Sequence, residues 1–228
     1  MSPNKIINRS IATTLVLLAL WIATWAGAEL LAIAPRHMLN EAANKKTLPT
    51  NTDWPTGYKL LKLSSQLKPF NANIQFELGR ISWLQASSLQ KESEAKSQWL
   101  EKSIFHLKKT LETRPTWGRA WAEISTAYLQ KRDYLLSYKA LVKAMQLEPY
   151  EGYSQWMILW NGFALWPMLL PEDTEKFLAI IKHVLEYSEP LRVVDSAIAN
   201  NRENVITPFF KDDKKMLKYI LKKVSERT

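Results

Sequence analysis

The sequence predicts an all-α protein in which an N-terminal transmembrane helix is followed by a series of helical hairpins. Three observations support this prediction. A long apolar run lies near the N-terminus, amphipathic segments of helical period fill much of the remainder, and helix-ending prolines recur at regular spacing. No stretch of useful length alternates apolar and polar residues in the way that a half-buried strand does.

The apolar run extends from Ile11 to Ala34, and Glu29 is its only charged residue. As a helix it measures about 36 Å, which is enough to cross a bilayer with some tilt. A cleaved signal peptide is the alternative, because Ala26-Gly27-Ala28 resembles a small-residue cleavage site. Since the apolar residues continue beyond that site, an uncleaved anchor is favoured.

The orientation of the anchor is predicted from the charges on its two sides. Lys5 and Arg9 precede the run, while Arg36, Lys45 and Lys46 follow it, so the positive charges nearly balance. A short tail without acidic residues usually stays in the cytoplasm. The chain is therefore predicted to be a single-pass protein of a bacterial inner membrane, with its C-terminal domain in the periplasm.

Turn-forming residues follow the anchor and indicate a linker, with Pro49 and Pro55 as its clearest signals. The predicted organisation has four parts: a cytoplasmic tail at 1–10, an anchor at 11–34, a linker at 35–56 and a helical domain at 57–228.

Three amphipathic helices are predicted next. They cover Tyr58–Leu67, Asn71–Ala86 and Trp99–Glu112, each with large apolar residues at helical spacing. A polar stretch separates the second helix from the third, and Gln85–Lys96 is interpreted as an insertion.

The segment 117–149 is the clearest hairpin, with a polar turn between two amphipathic helices. Small residues allow the helices to approach closely, so Ser125 is expected to face Ser137 or Ala144 while larger side chains fill the space beside them. A proline ends the second helix, because its ring and missing N–H cannot continue the ladder. The residues predicted to pack the hairpin are Trp121, Ile124, Ser125, Tyr128, Ser137, Leu141, Ala144 and Pro149.

These packing residues resemble the tetratricopeptide repeat (TPR), whose pattern is W-x2-L-G-x2-Y, A-x3-F and P. Pro115 and Pro149 are 34 residues apart, which is the period of that repeat class. Pro69 and Pro115 are 46 apart, one period plus the insertion. The resemblance implies a TPR-like helical-hairpin solenoid with one clean repeat, one repeat with an insertion and half of a degenerate one.

The segment Gln155–Leu170 carries no charge and is the most apolar part of the chain after the anchor. Four aromatic residues fall on one helical stripe: Tyr153, Trp156, Trp160 and Phe163. The segment is short for a membrane span and Pro167 interrupts it, so a core helix is favoured over a second membrane element. Further helices are predicted over Thr174–Tyr187 and 190–201.

The last predicted helix, Asp212–Glu226, has one apolar and one basic face. The apolar face comprises Met216, Leu217, Ile220, Leu221 and Val224, and the basic face comprises Lys214, Lys215, Lys218, Lys222 and Lys223. A solvated basic face is the simpler interpretation, and binding to anionic lipid or an acidic partner is the alternative. Arg114 and Arg119 flank the start of the clear hairpin and are further candidates for a partner surface.

Composition argues against several functional classes. The net charge of +9 is not accompanied by a nucleic-acid-binding motif, so nucleic acid is not an expected partner. The chain has no cysteine, and its three histidines lie far apart. His106 and His183 are most simply interpreted as surface or packing residues. Glycine-rich phosphate loops and nucleophile-elbow motifs are missing from the sequence. An enzyme is therefore not predicted, and no catalytic residue, metal or cofactor is assigned.

Several short motifs, beyond the repeat, resemble VpsP-type polysaccharide biosynthesis proteins, which are small, singly anchored bacterial membrane proteins. The motifs are Arg114-Pro115, Trp121-Ala122, Leu147-Glu148-Pro149, Tyr150-Glu151 and the apolar stretch from Trp156 to Trp166. The resemblance implies an accessory role in exopolysaccharide or capsule production, as a scaffold for other membrane or periplasmic proteins. Two alternatives stay open: direct binding of an acidic polysaccharide by a basic, Trp-rich surface, and an adaptor in envelope quality control or cell division.

Overall fold

The computed structural model describes three ranges of the chain: 3–44, 53–89 and 93–227. Every regular element within these ranges is a helix, which confirms the predicted all-α class. The chain divides into two compact units, Met1–Thr113 and Arg114–Thr228. Each unit has its own cluster of buried apolar side chains.

The described part of the first unit contains four helices: α1 (Pro3–Asn44), α2 (Trp54–Leu67), α3 (Ala72–Ser88) and α4 (Glu94–Thr113). Short polar side chains cap the N-terminal ends of two of these helices. The Asp53 carboxylate accepts the backbone N–H of Thr56 at 3.1 Å, and the Asn71 side chain accepts the N–H of Asn73 and Ile74. These bonds satisfy N–H groups that have no partner inside their own helix, so the sequence defines where α2 and α3 begin.

Helix α1 contains the predicted membrane span and continues well beyond it. Among the described helices it is the one that is long and apolar enough to cross a membrane, over Ser10–Ala43. The structure differs from the prediction of a linker at 35–56, because residues 35–44 are helical and Trp54 already belongs to α2. Residues 45–52 lie outside the described ranges.

Pro35 lies inside α1, although proline removes one helical hydrogen bond and usually ends a helix. Tertiary packing explains why the helix continues. Pro35 is buried, and Ala32 and Leu39, which flank it by about one turn on each side, are at most 2% exposed. These two side chains belong to an apolar cluster that also contains Leu61 of α2 and Leu78 of α3. Burial on this face compensates for the lost backbone bond.

The C-terminal half of α1 therefore packs on α2 as the first helix of a hairpin, where the sequence alone predicts only half of a degenerate repeat. Three hairpins are formed by α1–α2, by α3–α4 and by the helices 118–130 and 134–147. The second helix of each hairpin has a corresponding set of residues in it and just after it. The sets are Gly57, Leu61, Ser64 and Pro69 for α2; Ser103, Leu107, Thr110 and Pro115 for α4; and Ser137, Leu141, Ala144 and Pro149 for the helix 134–147. The set recurs after 46 and then 34 residues, and its helical members are all buried.

Over residues 114–227 the second unit contains seven α-helices: α5 (Gly118–Gln130), α6 (Tyr134–Leu147), α7 (Gly152–Ala164), α8 (Pro171–Tyr187), α9 (Pro190–Ala199), α10 (Glu203–Ile206) and α11 (Lys214–Ser225). Two short 3-10 turns lie at Trp166–Met168 and Thr207–Phe210. Helices α5 and α6 form the hairpin predicted over 117–149. Apolar side chains of α7, α8 and α9 then build the core of this unit, with Ile158, Phe177 and Val194 fully buried.

The apolar stretch 155–170 is shorter as a helix than the sequence suggests, because α7 ends at Ala164. The predicted aromatic stripe is not its buried face. Phe163 is fully buried, but Trp160 is 45% exposed, and the core side of α7 consists of Ile158, Leu159 and Phe163. Two buried contacts explain how α7 packs. Asn161 donates its amide to the Thr126 hydroxyl at 2.9 Å, and Gly162 leaves room for the ring of Phe177.

Candidate functional site

The first group of predicted residues lies at the crossing of α5 and α6, where two serines face each other. The hydroxyl of Ser125 donates to the carbonyl of Ser137 at 2.9 Å, and the hydroxyl of Ser137 donates to the carbonyl of Ser125 at 2.8 Å. Both residues are fully buried. Small side chains let the backbones approach, and the reciprocal bonds satisfy hydroxyls that would otherwise be costly to bury.

The other predicted packing residues surround this serine pair. Ile124, Leu141 and Ala144 are at most 2% exposed, and Tyr128 is 8% exposed. The indole N–H of Trp121 donates to the carbonyl of Pro115 at 2.8 Å, which joins α5 to the preceding turn. Pro149 is half-buried just after α6. The roles of these residues are thus structural, since they hold the hairpin together.

The two arginines at the start of the hairpin each lie over an aromatic ring. The guanidinium of Arg114 is 4.1 Å from the centroid of Trp117, and that of Arg119 is 4.0 Å from the centroid of Tyr153. The backbone N–H of Arg119 also donates to the carboxylate of Glu148 at 2.8 Å. Arg114 is exposed while Arg119 is half-buried, so Arg114 is the more accessible of these two candidates for a partner surface.

The predicted basic face of the last helix is present on α11. Lys214, Lys215, Lys218 and Lys222 are all exposed, and Lys222 lies 3.7 Å from the carboxylate of Glu226. The helix is held at its other side, where Ile220 is 3% exposed and the Tyr219 hydroxyl donates to Asp195 of α9 at 3.0 Å. The predicted apolar face is incomplete, because Leu221 is 70% exposed and lies beside the lysines. This face combines cationic and apolar side chains.

An ionic network at the α1–α2 junction was not indicated by any sequence motif. Glu29 of α1 accepts hydrogen bonds from Lys68 and from Arg36, both at 2.6 Å, and Arg36 also donates to Glu77 of α3 at 2.7 Å. Two cations thus balance two carboxylates. The charge near the C-terminal end of the apolar run is explained by this pairing, which ties the helix to its hairpin.

His106 lies at the base of an open cleft of about 540 Å³ between α2 and α4. Its ring bridges the Tyr58 hydroxyl at 3.0 Å and the Gln75 side-chain oxygen at 2.8 Å, which is the packing role predicted for it. Burial, aided by the neighbouring lysines Lys109, Lys62 and Lys102, lowers the pKa of His106 to about 4. The ring is therefore neutral at physiological pH, and it joins three helices of the first unit.

The described ranges contain no cluster of three or more histidine, cysteine or acidic side chains with the placement of a metal site. His183 is half-buried and is packed between the rings of Tyr150 and Tyr187, with centroids at 4.3 and 4.9 Å. The described polar side chains thus serve hairpin packing, an ionic network and exposed basic surfaces.

No protein-family model matches the chain, and no curated protein matches it.

Proposed function

We propose that this chain is a membrane-anchored, TPR-like scaffold that supports the assembly and export of bacterial exopolysaccharide or capsule by binding other envelope proteins. The observation that carries the proposal is the continuity of α1. Its residues 10–26 are exposed and mostly apolar, and the same helix then becomes the first helix of a hairpin. A hairpin array fixed to a membrane in this way is confined near its partners, which raises their effective concentration.

A partner surface is available at the start of α6. Tyr134, Leu135 and Leu136 are 49%, 56% and 38% exposed, and Asp133 begins the helix by accepting the N–H of Leu136. Three adjacent exposed apolar side chains on a rigid helix end are suited to contact with a partner protein. The link to polysaccharide production comes from the resemblance of the sequence motifs to VpsP-type proteins.

A photo-crosslinking amino acid at Leu135 tests this role in living bacteria. We expect it to capture a component of the polysaccharide machinery, while the same probe at Gln146, an exposed position of α6, captures much less. Leu135→Asp should also reduce the polysaccharide output. Normal output from a strain that lacks the protein would contradict the polysaccharide role and favour an adaptor in envelope quality control or cell division.

The proposed topology places the helical units in the periplasm. Since the chain has no cysteine, Tyr187→Cys gives a single thiol at a side chain that is 74% exposed. A maleimide reagent that does not cross membranes should label this thiol in intact spheroplasts. Labelling only after the membrane is permeabilised would place the units in the cytoplasm instead.

Direct binding of an acidic polysaccharide is the second candidate, because Lys214, Lys215 and Lys218 are exposed along one side of α11. Binding of this kind weakens steeply with salt. The triple change of these lysines to glutamine should abolish retention of the polymer if α11 is its site. Retention of the polymer that depends neither on salt nor on these lysines would contradict polysaccharide binding by α11.

A further inference from the structure

The turn between α2 and α3, Leu67–Asn71, lies against the membrane-directed part of α1. The ammonium group of Lys68 is 4.0 Å from the ring centroid of Trp25, and the hydroxyl of Ser64, one turn earlier, donates to the carbonyl of Ala28 at 2.8 Å. The turn and α1 together line a cleft of about 420 Å³. Its lining residues are Trp21, Trp25, Leu67, Lys68, Pro69, Phe70 and Asn71.

Apolar side chains are exposed on both walls of this cleft. Phe70 is 88% exposed, the largest fraction for any large apolar side chain in the described ranges, and Leu67 is 39% exposed. On α1, Trp21 and Trp25 are 55% and 49% exposed, and Leu30 on the same helix is 68% exposed. The turn therefore extends the apolar surface of the membrane helix sideways. Exposed tryptophans such as Trp21 and Trp25 are typical of the interface between a bilayer and water.

The charge of the turn is neutralised within the protein. Lys68 is its one ionic side chain, and it is 8% exposed and bonded to Glu29 at 2.6 Å. Glu29 is in turn bonded to Arg36. An unpaired ammonium would oppose entry into the bilayer interface, whereas this pairing removes much of the cost. The outward-facing side chains of the turn are left apolar.

The length of the exposed helix brings the bilayer to the level of the turn. Residues 11–26 are exposed on all sides of α1 and span only about 24 Å at 1.5 Å per residue. The hydrocarbon core of a bilayer is about 30 Å thick. A bilayer that covers the start of this segment therefore also reaches Trp25, and with it the α2–α3 turn.

We infer that the α2–α3 turn is a second membrane contact, which inserts Leu67, Pro69 and Phe70 into the interface of the leaflet that Trp25 reaches. The occupant of the apolar cleft is lipid. A lone spanning helix can rotate about its axis, but a second contact at its side fixes that rotation and the tilt of the first unit. This inference rests on the proposed membrane anchor and goes beyond it by orienting the hairpins to the membrane surface.

Spin labels test the inference in the intact chain, because no native cysteine interferes. Single labels are placed by Phe70→Cys, Leu17→Cys and Phe105→Cys in the full chain reconstituted in lipid nanodiscs. Leu17 is 62% exposed in the anchor, and Phe105 is 53% exposed on α4, so the three sites are comparably accessible in the protein itself. The collision rates of each label with oxygen, which concentrates in lipid, and with a water-soluble nickel chelate are then compared.

We expect oxygen to relax the labels at positions 17 and 70 more strongly than the nickel chelate does, with the reverse order at position 105. A label at position 70 that behaves like the one at 105, while position 17 is in lipid, would overturn the inference and leave the anchor intact. Exclusion of both reagents at position 70 would also overturn it, because a protein surface would then cover the turn. Nickel accessibility at position 17 would instead contradict the anchor itself.

Discussion

Ser125 and Ser137 exchange hydrogen bonds across the crossing of α5 and α6, each hydroxyl donating to the carbonyl of the other residue. The two backbones can meet only because neither side chain is larger than a hydroxymethyl group. Gly79 of α3 occupies the corresponding place in the preceding hairpin, where an added Cβ would lie 2.7 Å from Leu107. Close approach at a small residue is thus a shared feature of both hairpins.

Replacement of Ser137 tests the importance of this crossing. Ser137→Ala removes a buried hydrogen bond and should lower the free energy of unfolding by about 1 kcal/mol. Ser137→Leu should lower it by about 1–3 kcal/mol more, because the larger side chain forces α5 and α6 apart. Thermal unfolding of the detergent-solubilised chain, followed by circular dichroism, measures both effects. Gln146→Leu, an exposed change on the same helix, should leave the midpoint unchanged.

Gly162 is predicted to be irreplaceable in the core of the second unit. A Cβ at this position would lie 2.2 Å from the ring of Phe177, which is fully buried and cannot withdraw. Gly162→Ala should therefore destabilise the unit by about 1–3 kcal/mol. Gly152→Ala on the same helix is the matched control, because a Cβ added at Gly152 would lie in open space. Equal unfolding midpoints for the two variants would show that α7 does not pack as described.

Acid should weaken the first unit through His106. The pKa of this ring is about 4 in the folded chain, against a reference value of 6.5, so the unfolded chain binds the proton first as the pH falls. The neutral ring makes its full contribution to the free energy of unfolding above pH 6.5. This contribution is on the order of 3 kcal/mol, and it is lost as the pH falls toward 4.

The measurement is the pH dependence of unfolding for the native chain and two variants. His106→Gln should flatten the change between pH 7 and pH 4.5, because no ring remains to take up a proton. His37→Gln removes an exposed histidine and should retain the native pH profile. If His106→Gln kept the full acid sensitivity, the buried ring would not be its source.

The contact of Tyr138 with Asp173 joins α6 to α8. The hydroxyl donates to the carboxylate at 2.5 Å, and Asp173 is 3% exposed. Burial, aided by this carboxylate, raises the pKa of Tyr138 to about 12. Tyr138→Phe should lower the free energy of unfolding by about 1.5–3 kcal/mol, because the bond is made to a charged group. Tyr134→Phe, at an exposed position of α6, should have no effect on the denaturant midpoint.

The local features of the fold could be predicted from the sequence. Pro69, Pro115 and Pro149 follow the ends of their helices, and the 34-residue spacing identifies α4 and α6 as related. Each of these signals acts through the backbone within a few residues of its own position. The small residue Ser125 also indicated where two helices meet, because helix crossings depend strongly on side-chain size.

The long-range features could not be predicted in this way. The pairing of Glu29 with Lys68 joins residues 39 apart, and that of Asn161 with Thr126 joins residues 35 apart, with no spacing rule to relate them. The anchor is predicted to end at Ala34, but the helix continues through Pro35, because the packing of Ala32 and Leu39 outweighs the lost hydrogen bond. Tertiary contacts therefore decide that the apolar N-terminal segment and the first hairpin share one helix.

Hydrogen exchange of the full chain in lipid nanodiscs tests this shared helix most directly. Peptides that cover residues 36–43 should exchange as slowly as those of α2, because their amides are bonded within α1 and one side of the helix is buried. Slow exchange through Pro35 is the predicted result. Exchange of these amides within seconds, with α2 still protected, would show a flexible linker after the span and would contradict the continuous helix.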